Sequence, residues 1–236
     1  MEMKKGRLIR PIAHIHTEFP TKFGIPRQSG LAETRGEIIF EPEYRNPDAV
    51  RGLEGYSHLW LIWEFSETIR ENWSPTVRPP RLGGNERRGV FATRSPFRPN
   101  PIGLSCVKLK DIENRGKEGM VLWVEGADLM DGTPIYDIKP YLPYVDSHPH
   151  AKGGFAETVC DYELEVEFSE RWLSVVPEEV RTSLFQILSQ DPRQSYQNDP
   201  DRIYGMEYAG MEVRFQVCGT KLTVCEVMQL SEKSRE

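Results

Sequence analysis

The sequence contains few cysteines, and their spacing suits neither a metal site nor a redox motif. The four are Cys106, Cys160, Cys218 and Cys225, and no two of them form a CxxC pair. Cys218 and Cys225 fall on two segments that we predict to be paired strands. Low cysteine usage in a cytoplasmic protein nevertheless favours buried free thiols over a disulfide. The five histidines are scattered, none at metal-ligand spacing from a cysteine or carboxylate, and we expect no metal site.

Long apolar segments are also absent. No apolar run in the sequence approaches the roughly 20 residues that a membrane-spanning helix requires. The first residues, MEMKKGRLIRPIA, contain two lysines but no apolar stretch behind them, which argues against a signal peptide. With 38% hydrophobic and 28% charged residues, the composition is typical of a globular protein. We expect a cytoplasmic location and no membrane partner.

A fingerprint for dinucleotide binding is missing as well. Glycines occur in Arg51–Tyr56 and Leu82–Asn85, but neither segment spells GxGxxG between a strand and a helix. The first two thirds of the chain also lack regular helical patterns of ten to fifteen residues. These absences exclude the strand–helix alternation of a doubly wound parallel sheet.

The same region instead shows patterns typical of strands. His58–Phe65 is a short, nearly continuous apolar run that predicts a strand buried on both faces. Met120–Val124 has a similar pattern, and Gly36–Phe40 is a weaker candidate. We therefore expect a mainly β fold for the first two thirds.

The last third predicts a small α+β unit of three strands and one helix. Asp161–Phe168 alternates acidic and apolar residues, and Met211–Val224 contains a second alternating stretch, a turn and a return strand. Pro177 opens a helix, and its apolar stripe consists of Val180, Leu184, Ile187 and Leu188. Glycine and proline residues before this unit read as a linker. We divide the chain into residues 1–146, a linker over 147–158 and a C-terminal domain over 159–236.

The most distinctive feature of the chain is a basic, stiff segment, Arg78–Arg98. Its 21 residues hold six arginines and a single acid, Glu86, in a protein of net charge −6, and six of the 18 prolines lie between Pro75 and Pro101. Such a segment predicts a fixed loop that presents guanidinium groups to an anionic ligand. The alternative is an ordinary solvated loop face.

Two further segments carry candidate functional groups. Asp128–Pro134 contains a turn signal, and alternation places Asp137, Lys139 and Tyr141 on one side of the extended segment that follows. An acid, an amine and a phenol on one side could move a proton, although a simple Asp-capped turn is the alternative for Asp131–Pro134. Phe23–Gly30 is a rigid turn with an arginine and an amide, suited to a carboxylate or the edge of a heterocycle.

Together these segments resemble one family, the TrmO (TsaA-like) tRNA methyltransferases. The matching strings are PRQSG, RGLEGYSHLWLI, RPPRLGGN, GVFATRSPFRPNPIGLS and DLMDGTPIYDIKPYLPY. The resemblance runs from about Arg7 to Tyr144, and the C-terminal unit is similar to the extra domain of bacterial members. It implies an N-terminal β-barrel in place of a Rossmann sheet, followed by a small α+β domain. It also implies a homodimer that uses S-adenosylmethionine to methylate the exocyclic nitrogen of threonylcarbamoyl-adenosine beside the tRNA anticodon.

The resemblance also implies a cofactor site. Carried onto this sequence, its residues are Pro26, Arg27, Gln28, Ser66, Glu67, Arg94, Leu104, Asp128, Leu129, Met130 and Asp131. One departure concerns Ser66-Glu67, where close relatives often have His-Gln. Backbone contacts to the cofactor survive this change, whereas a contact from a side-chain amide is lost. The alternative is that the Glu67 carboxylate helps by lying near the sulfonium or the ribose hydroxyls.

The remaining assignments concern proton transfer and RNA. We expect Asp137 or Tyr141 to assist removal of a proton from the acceptor nitrogen. Lys139 would lower the pKa of the phenol or pair with the carboxylate of the substrate. The arginines expected to contact tRNA are Arg78, Arg81, Arg87, Arg88, Arg98 and Arg193. Two alternatives remain: the same barrel could methylate another acceptor, or the protein could bind RNA without catalysis.

Overall fold

The computed structural model describes residues 8–70, 72–79, 86–159, 162–193, 197 and 199–230. The strands are β1 (Ala13–Thr17), β2 (Arg35–Phe40), β3 (His58–Glu64), β4 (Thr76–Val77), β5 (Arg88–Gly89), β6 (Ile102–Asn114), β7 (Met120–Glu125), β8 (Thr133–Pro140), β9 (Glu165–Glu167), β10 (Ile203–Tyr208), β11 (Met211–Cys218) and β12 (Lys221–Gln229). The α-helices are α1 (Pro143–Asp146), α2 (Glu170–Leu173) and α3 (Glu178–Ser189). Among the short 3-10 helices, Ser66–Thr68 and Val90–Ala92 bear on the site.

Six strands close into an antiparallel barrel in the order β1-β2-β7-β6-β3-β8. The absence of a doubly wound sheet is thereby confirmed, as are the predicted strands at Gly36–Phe40 and Met120–Val124. Alternate residues fill the interior, because successive side chains of a strand point to opposite faces. The interior includes Ile15, Ile38, Leu61, Leu122 and Ile135, each fully buried.

The prediction that β3 is buried on both faces is wrong. Leu59, Leu61 and Trp63 point into the barrel and are buried, whereas Trp60 and Ile62 point outward and are only partly covered. The physical reason is that a barrel wall is a single layer with one interior. The apolar outer face of β3 is therefore available to line a site.

A second sheet, in the order β10-β11-β12-β9, forms the C-terminal unit with α3. The predicted apolar stripe of the helix is confirmed: Val180, Leu184, Ile187 and Leu188 are all buried in this core. In the part of the chain that the structure describes, the unit has four strands rather than the predicted three. The additional strand is β10, which was not predicted and contains a glycine. β9 is shorter than the predicted strand and pairs in parallel with β12. The division of the chain into domains with a linker over 147–158 stays a prediction.

The segment between β1 and β2 joins the two sheets. Phe19 and Ala32 are buried in the C-terminal core although they belong to the N-terminal part of the chain. At Gly24 the φ angle is +98°, and a Cβ there would overlap the side chain of Met206, so only glycine fits. This close approach fixes the loop that carries the Phe23–Gly30 turn.

The cysteines in the described part of the chain are free. Cys106 and Cys225 are partly buried, whereas Cys218 is exposed, so the predicted free thiols are confirmed but burial fails at Cys218. Cys160 lies outside the described residues. Within the described ranges, no helix is long and apolar enough to cross a membrane, and no cluster of three potential metal ligands occurs.

Candidate active site

The Phe23–Gly30 turn meets the basic segment through Gln28. The Oε1 atom of Gln28 accepts a hydrogen bond from Nη1 of Arg94 at 2.5 Å, while its Nε2 donates to the carbonyl oxygen of Arg27. Arg94 follows the 3-10 helix Val90–Ala92 and is exposed. The structure therefore brings together two residues 66 positions apart that were both predicted to bind the cofactor.

The two residues that precede Gln28 in sequence have different environments. Arg27 donates from Nη2 to the carbonyl oxygens of Asp191 and Arg193, at 3.1 and 3.0 Å, and Pro26 is buried. The guanidinium of Arg27 therefore ties the turn to the C-terminal unit. A cofactor contact from the Arg27 side chain stays a prediction.

Asp128 is partly buried and lies at the end of a chain of hydrogen bonds that starts at Trp63. Ser105 Oγ donates to Asp128 Oδ1 at 2.5 Å, and Ser105 Oγ in turn accepts a hydrogen bond from Trp63 Nε1 at 2.9 Å. Ser105 is fully buried, and its one hydroxyl proton is committed to the carboxyl because the indole can only donate. Sequence reasoning missed the roles of Ser105 and Trp63.

Gly103 leaves room for this chain of hydrogen bonds. It pairs with Trp63 across β3 and β6, and a Cβ at this position would overlap the indole ring. The glycine therefore lets the ring lie flat on β6, with its N–H aimed at Ser105. The GLS string of the sequence is the available signal, since Gly103 and Ser105 share one face of a strand.

Burial raises the pKa of Asp128 to about 6, although the Ser105 hydroxyl and the charge of Arg94 act in the opposite direction. The principal cause is desolvation, which penalises the charged form of the carboxyl. A carboxyl with this pKa is largely ionised at neutral pH and becomes neutral in mildly acidic solution. It can therefore attract a cationic group of a ligand at neutral pH.

The turn after Asp128 is held by its own hydrogen bonds. Asp131 Oδ1 accepts from the backbone N–H of Thr17 at 3.0 Å and lies 3.2 Å from His16 Nδ1. The carbonyl oxygen of Leu129 accepts from the Thr17 hydroxyl, and that of Met130 accepts from the Thr133 hydroxyl. The Asp131 carboxylate thus anchors the turn to β1, and cofactor contacts from these three residues stay predictions.

Ser66 and Glu67 begin the 3-10 helix that follows β3. Glu67 is exposed, its carbonyl oxygen accepts from Lys22 Nζ at 2.9 Å, and its carboxylate lies 3.8 Å from the same nitrogen. The carboxylate that replaces an amide here is consequently turned towards a lysine. A cofactor contact from the Glu67 side chain stays a prediction, and so does one from Ser66.

The predicted acid–base residues lie on the outer face of the barrel. Lys139 Nζ and Asp137 Oδ2 form an ion pair at 2.8 Å, which matches the alternation that placed them on one side. The ring of Tyr141 packs near that of Trp60, with centroids 5.8 Å apart. Tyr141 follows the last residue of β8, and its ring still lies on the same outer face of the barrel.

The strand register connects this outer face with the predicted cofactor site. Ile62 of β3 is paired with Leu104 on one side and with Asp137 on the other. Leu104 and Asp137 are therefore separated by two strand spacings, about 10 Å. Leu104 is 51% exposed, while Ser105, its neighbour in sequence, points inward to Asp128. β6 thus contributes to both the inner and the outer part of the site.

A β-bulge adds a group that sequence reasoning missed. Trp63 pairs with Ile135 whereas Ile62 pairs with Asp137, so Tyr136 is the extra residue. Burial and a hydrogen bond with Glu64 raise the pKa of Tyr136 to about 12. The bulge interrupts the alternation of β8, and no simple pattern in the sequence signals it.

The arginines expected to contact RNA differ in accessibility. Arg78 and Arg87 are exposed, and Arg88 is half-buried and paired with Glu86 at 2.7 Å. Arg98 donates from Nη1 to the carbonyl oxygens of Val90 and Thr93, which holds the shape of the loop. Arg81 lies outside the described residues.

Arg193 is turned into the protein, and a contact between its side chain and tRNA stays a prediction. Its side chain is buried and bound through two nitrogens to the carboxylate of Asp191, at 2.8 and 2.9 Å. The backbone of Asp191 adopts a positive φ of 53°, and its carbonyl oxygen accepts from Arg27. The physical reason is that a carboxylate two residues earlier turns the guanidinium inward, where it supports the junction with the Phe23–Gly30 turn.

Known proteins share both parts of this chain. Residues 14–147 match the tRNA-methyltransferase O N-terminal domain, and residues 161–230 match the TrmO C-terminal domain. The chain is 42% identical over 215 residues to a tRNA (adenine(37)-N6)-methyltransferase of Escherichia coli strain K12, covering 87% of this chain and 91% of that protein. It is 49% identical over 163 residues to an Eikenella corrodens protein of the same name, covering 69% of this chain and 91% of that protein.

A solved structure agrees with these sequence matches. The crystal structure of TrmO from Pseudomonas aeruginosa superposes with a TM-score of 0.75 at 34% identity, covering 95% of this chain and all of that one. The closed barrel, the C-terminal sheet and both sequence matches lead to one conclusion. The chain belongs to the TrmO family of tRNA methyltransferases.

Proposed function

We propose that the protein transfers a methyl group from S-adenosylmethionine to the N6 nitrogen of adenine 37 in tRNA. The relatives in Escherichia coli and Eikenella corrodens carry the name of this activity. The structural observation that carries the proposal is the strand register, which places the Asp137–Lys139 ion pair and Leu104 on one barrel face. An RNA-binding protein without catalysis has no need of this ion pair.

The chemistry of the side chains around Gln28 fits S-adenosylmethionine. Gln28 and Arg94 offer an amide and a guanidinium to a carboxylate, and the partly buried Asp128 offers a negative charge to a cationic group. Leu104 offers exposed apolar surface next to them. When bound, the cofactor supplies a methyl group on a positively charged sulfur. We assign its binding to Gln28, Arg94, Leu104 and Asp128.

The side chains on the outer face orient the acceptor and remove its proton. The N6 nitrogen gains a methyl group and must lose a proton, and Asp137 Oδ2 accepts this proton directly or through Tyr141. Lys139 holds the carboxylate of Asp137 at 2.8 Å and supplies a positive charge for a substrate carboxylate. Trp60 and Ile62 provide an apolar floor that aligns the acceptor, which is the main contribution to a displacement of this kind.

The natural acceptor in this proposal is threonylcarbamoyl-adenosine. Its threonyl carboxylate is the anionic group that Lys139 and the arginines of the basic loop would recognise. Exposed Arg78 and Arg87 would contact phosphates of the anticodon stem-loop. We place the reaction in the cytoplasm, with tRNA as the macromolecular substrate.

We also propose that the active form is a homodimer with the cofactor near the subunit interface. Ile102 and Leu104 support this assignment, because they leave apolar surface exposed on β6 beside the site, at 39% and 51% of their areas. Sedimentation of the purified protein should give twice the mass of the 27.2 kDa chain.

The direct test is mass spectrometry of the anticodon loop. Protein, isotopically labelled S-adenosylmethionine and tRNA are incubated, with one tRNA sample carrying threonylcarbamoyl-adenosine and a second carrying unmodified adenosine. The proposal predicts a labelled methyl group on the first sample only. Label on both samples would contradict the acceptor assignment, and label on neither would contradict the methyltransferase assignment.

A further inference from the structure

A cluster of exposed aromatic rings lies beside the site and takes no part in the chemistry described above. Trp73 is 50% exposed and Phe91 is 71% exposed, and their ring centroids are 6.0 Å apart with an angle of 33° between the planes. Large aromatic side chains are rarely left in solvent as neighbours without a partner. We call Trp73, Phe91 and Phe97 the aromatic surface.

Arginine side chains cover the edges of this surface. The guanidinium carbon of Arg70 lies 4.0 Å from the ring centroid of Phe97, and that of Arg98 lies 5.8 Å from the centroid of Phe91. A cavity of about 160 Å³ opens between Arg70, Trp73, Phe97 and Arg98, and among the residues that the structure describes none of those lining it is acidic. A drug-sized ligand needs about 300 Å³ or more, so the cavity suits one flat group.

The aromatic surface adjoins both predicted halves of the cofactor site. Thr68, which lines the cavity, ends the 3-10 helix that begins with Ser66 and Glu67. Phe91 lies in the 3-10 helix Val90–Ala92, three residues before Arg94. A ligand on the aromatic surface would therefore contact the same loops that position Glu67 and Arg94.

We propose that the aromatic surface binds unpaired nucleobases that flank the methylated adenine. The proposal rests on the proposed function, because it assigns a second contact to the same tRNA. Proteins read single-stranded RNA by stacking its bases on aromatic rings and on guanidinium planes, and the aromatic surface offers both. A two-fold contact between copies centred here would bring Arg70 and Arg98 close to their own equivalents, and like charges oppose such a contact.

The test compares substitutions that keep apolar area with substitutions that keep a ring. The full-length protein is titrated with a fluorescent anticodon stem-loop RNA at several salt concentrations. Phe91→Leu and Trp73→Leu should each weaken binding on the order of 10-fold, because stacking contributes about 1–3 kcal/mol per base. Phe91→Tyr and Trp73→Phe should bind like the unchanged protein.

The salt dependence separates stacking from charge. Phe91→Leu should leave the slope of log K against log salt unchanged, whereas loss of a phosphate contact in Arg87→Ala should reduce the slope by about 0.7. Equal affinity of Phe91→Leu and Phe91→Tyr would overturn the proposal, and so would a reduced slope for Phe91→Leu. A shift of Phe91→Leu to a lower oligomeric mass would also overturn it, because the aromatic surface would then be a contact between copies.

Failure of the aromatic surface and failure of the proposed function can be distinguished. Cofactor binding and methyl transfer are measured on the unchanged protein in the same series. The unchanged protein could transfer no methyl group while the Phe91→Leu variant binds the stem-loop more weakly than the unchanged protein does. In that case the proposed function fails and the aromatic surface is still supported. If methyl transfer occurs and the two Phe91 variants behave alike, the proposed function is kept and the aromatic surface is rejected.

Discussion

The barrel holds two carboxyl groups in opposite settings. Asp128 is partly buried and accepts from a serine that in turn accepts from Trp63, and desolvation raises its pKa to about 6. Asp137 lies on the outer face with 44% of its side chain exposed and is paired with an exposed Lys139. The fold thus determines the pKa of Asp128 before any ligand binds, whereas the environment of Asp137 changes only when a substrate covers it. The first setting suits the binding of a cation, and the second suits a proton transfer.

The largest effect should come from breaking the outer pair. Lys139→Ala and Asp137→Ala should each reduce kcat on the order of 10²- to 10⁴-fold, because positioned acid–base groups contribute about this much. Affinity for S-adenosylmethionine should stay unchanged, since neither residue is assigned to cofactor binding. Single-turnover methyl transfer and cofactor titration measure the two quantities.

Lys221→Ala is the matched control for this experiment. Lys221 is a strand lysine that is also exposed and forms an ion pair, with Glu167 at 3.0 Å, but it lies on β12 of the second sheet. Its loss should leave kcat unchanged. If Lys139→Ala and Asp137→Ala each kept full turnover and normal affinity for tRNA, the acid–base assignment would have to be abandoned.

A second, smaller effect concerns the inner carboxyl. Asp128→Asn should weaken cofactor binding on the order of 100-fold, because a cation loses its anionic partner. In the unchanged protein the affinity should fall as the pH drops through about 6, where Asp128 becomes protonated. Calorimetric titration between pH 5 and 8 should show this loss, and the variant should show little dependence on pH.

The same substitution should stabilise the fold. A carboxyl with a raised pKa in the folded state holds its proton more tightly there, so the stability falls as the pH rises from about 3.8 to about 6, and the penalty is complete at higher pH. Asp128→Asn removes this penalty and should raise the free energy of unfolding by roughly 1 to 3 kcal/mol at pH 8, with little effect at pH 4. Urea unfolding at both values measures the difference. A variant less stable at pH 8 than the unchanged protein would show that the Asp128 charge is compensated.

The two settings also differ in how far the sequence predicts them. Alternation alone placed Asp137 and Lys139 on one side, because the geometry of a single strand fixes that relation. The partnership of Asp128 with Ser105 depends on how β6 meets the segment after β7, a contact between residues 23 positions apart. Arg193 was predicted to contact RNA from its charge, but Asp191 turns it inward. Local periodicity therefore predicts the Asp137–Lys139 pair, whereas tertiary contacts determine the hydrogen bond of Asp128 and the orientation of Arg193.

The smallest predicted effect isolates the hydroxyl of Ser105. Its hydrogen bond holds the pKa of Asp128 below the value that burial alone would give, so Ser105→Ala should raise that pKa by about one unit. The pH at which cofactor affinity is lost should rise by the same amount, while affinity at pH 8 changes little. Trp63→Phe is the control, because it removes the indole N–H but leaves the serine hydroxyl on Asp128. A uniform loss of affinity at every pH in Ser105→Ala would mean that the serine only fills space, and the inner carboxyl would then differ from the outer one by burial alone.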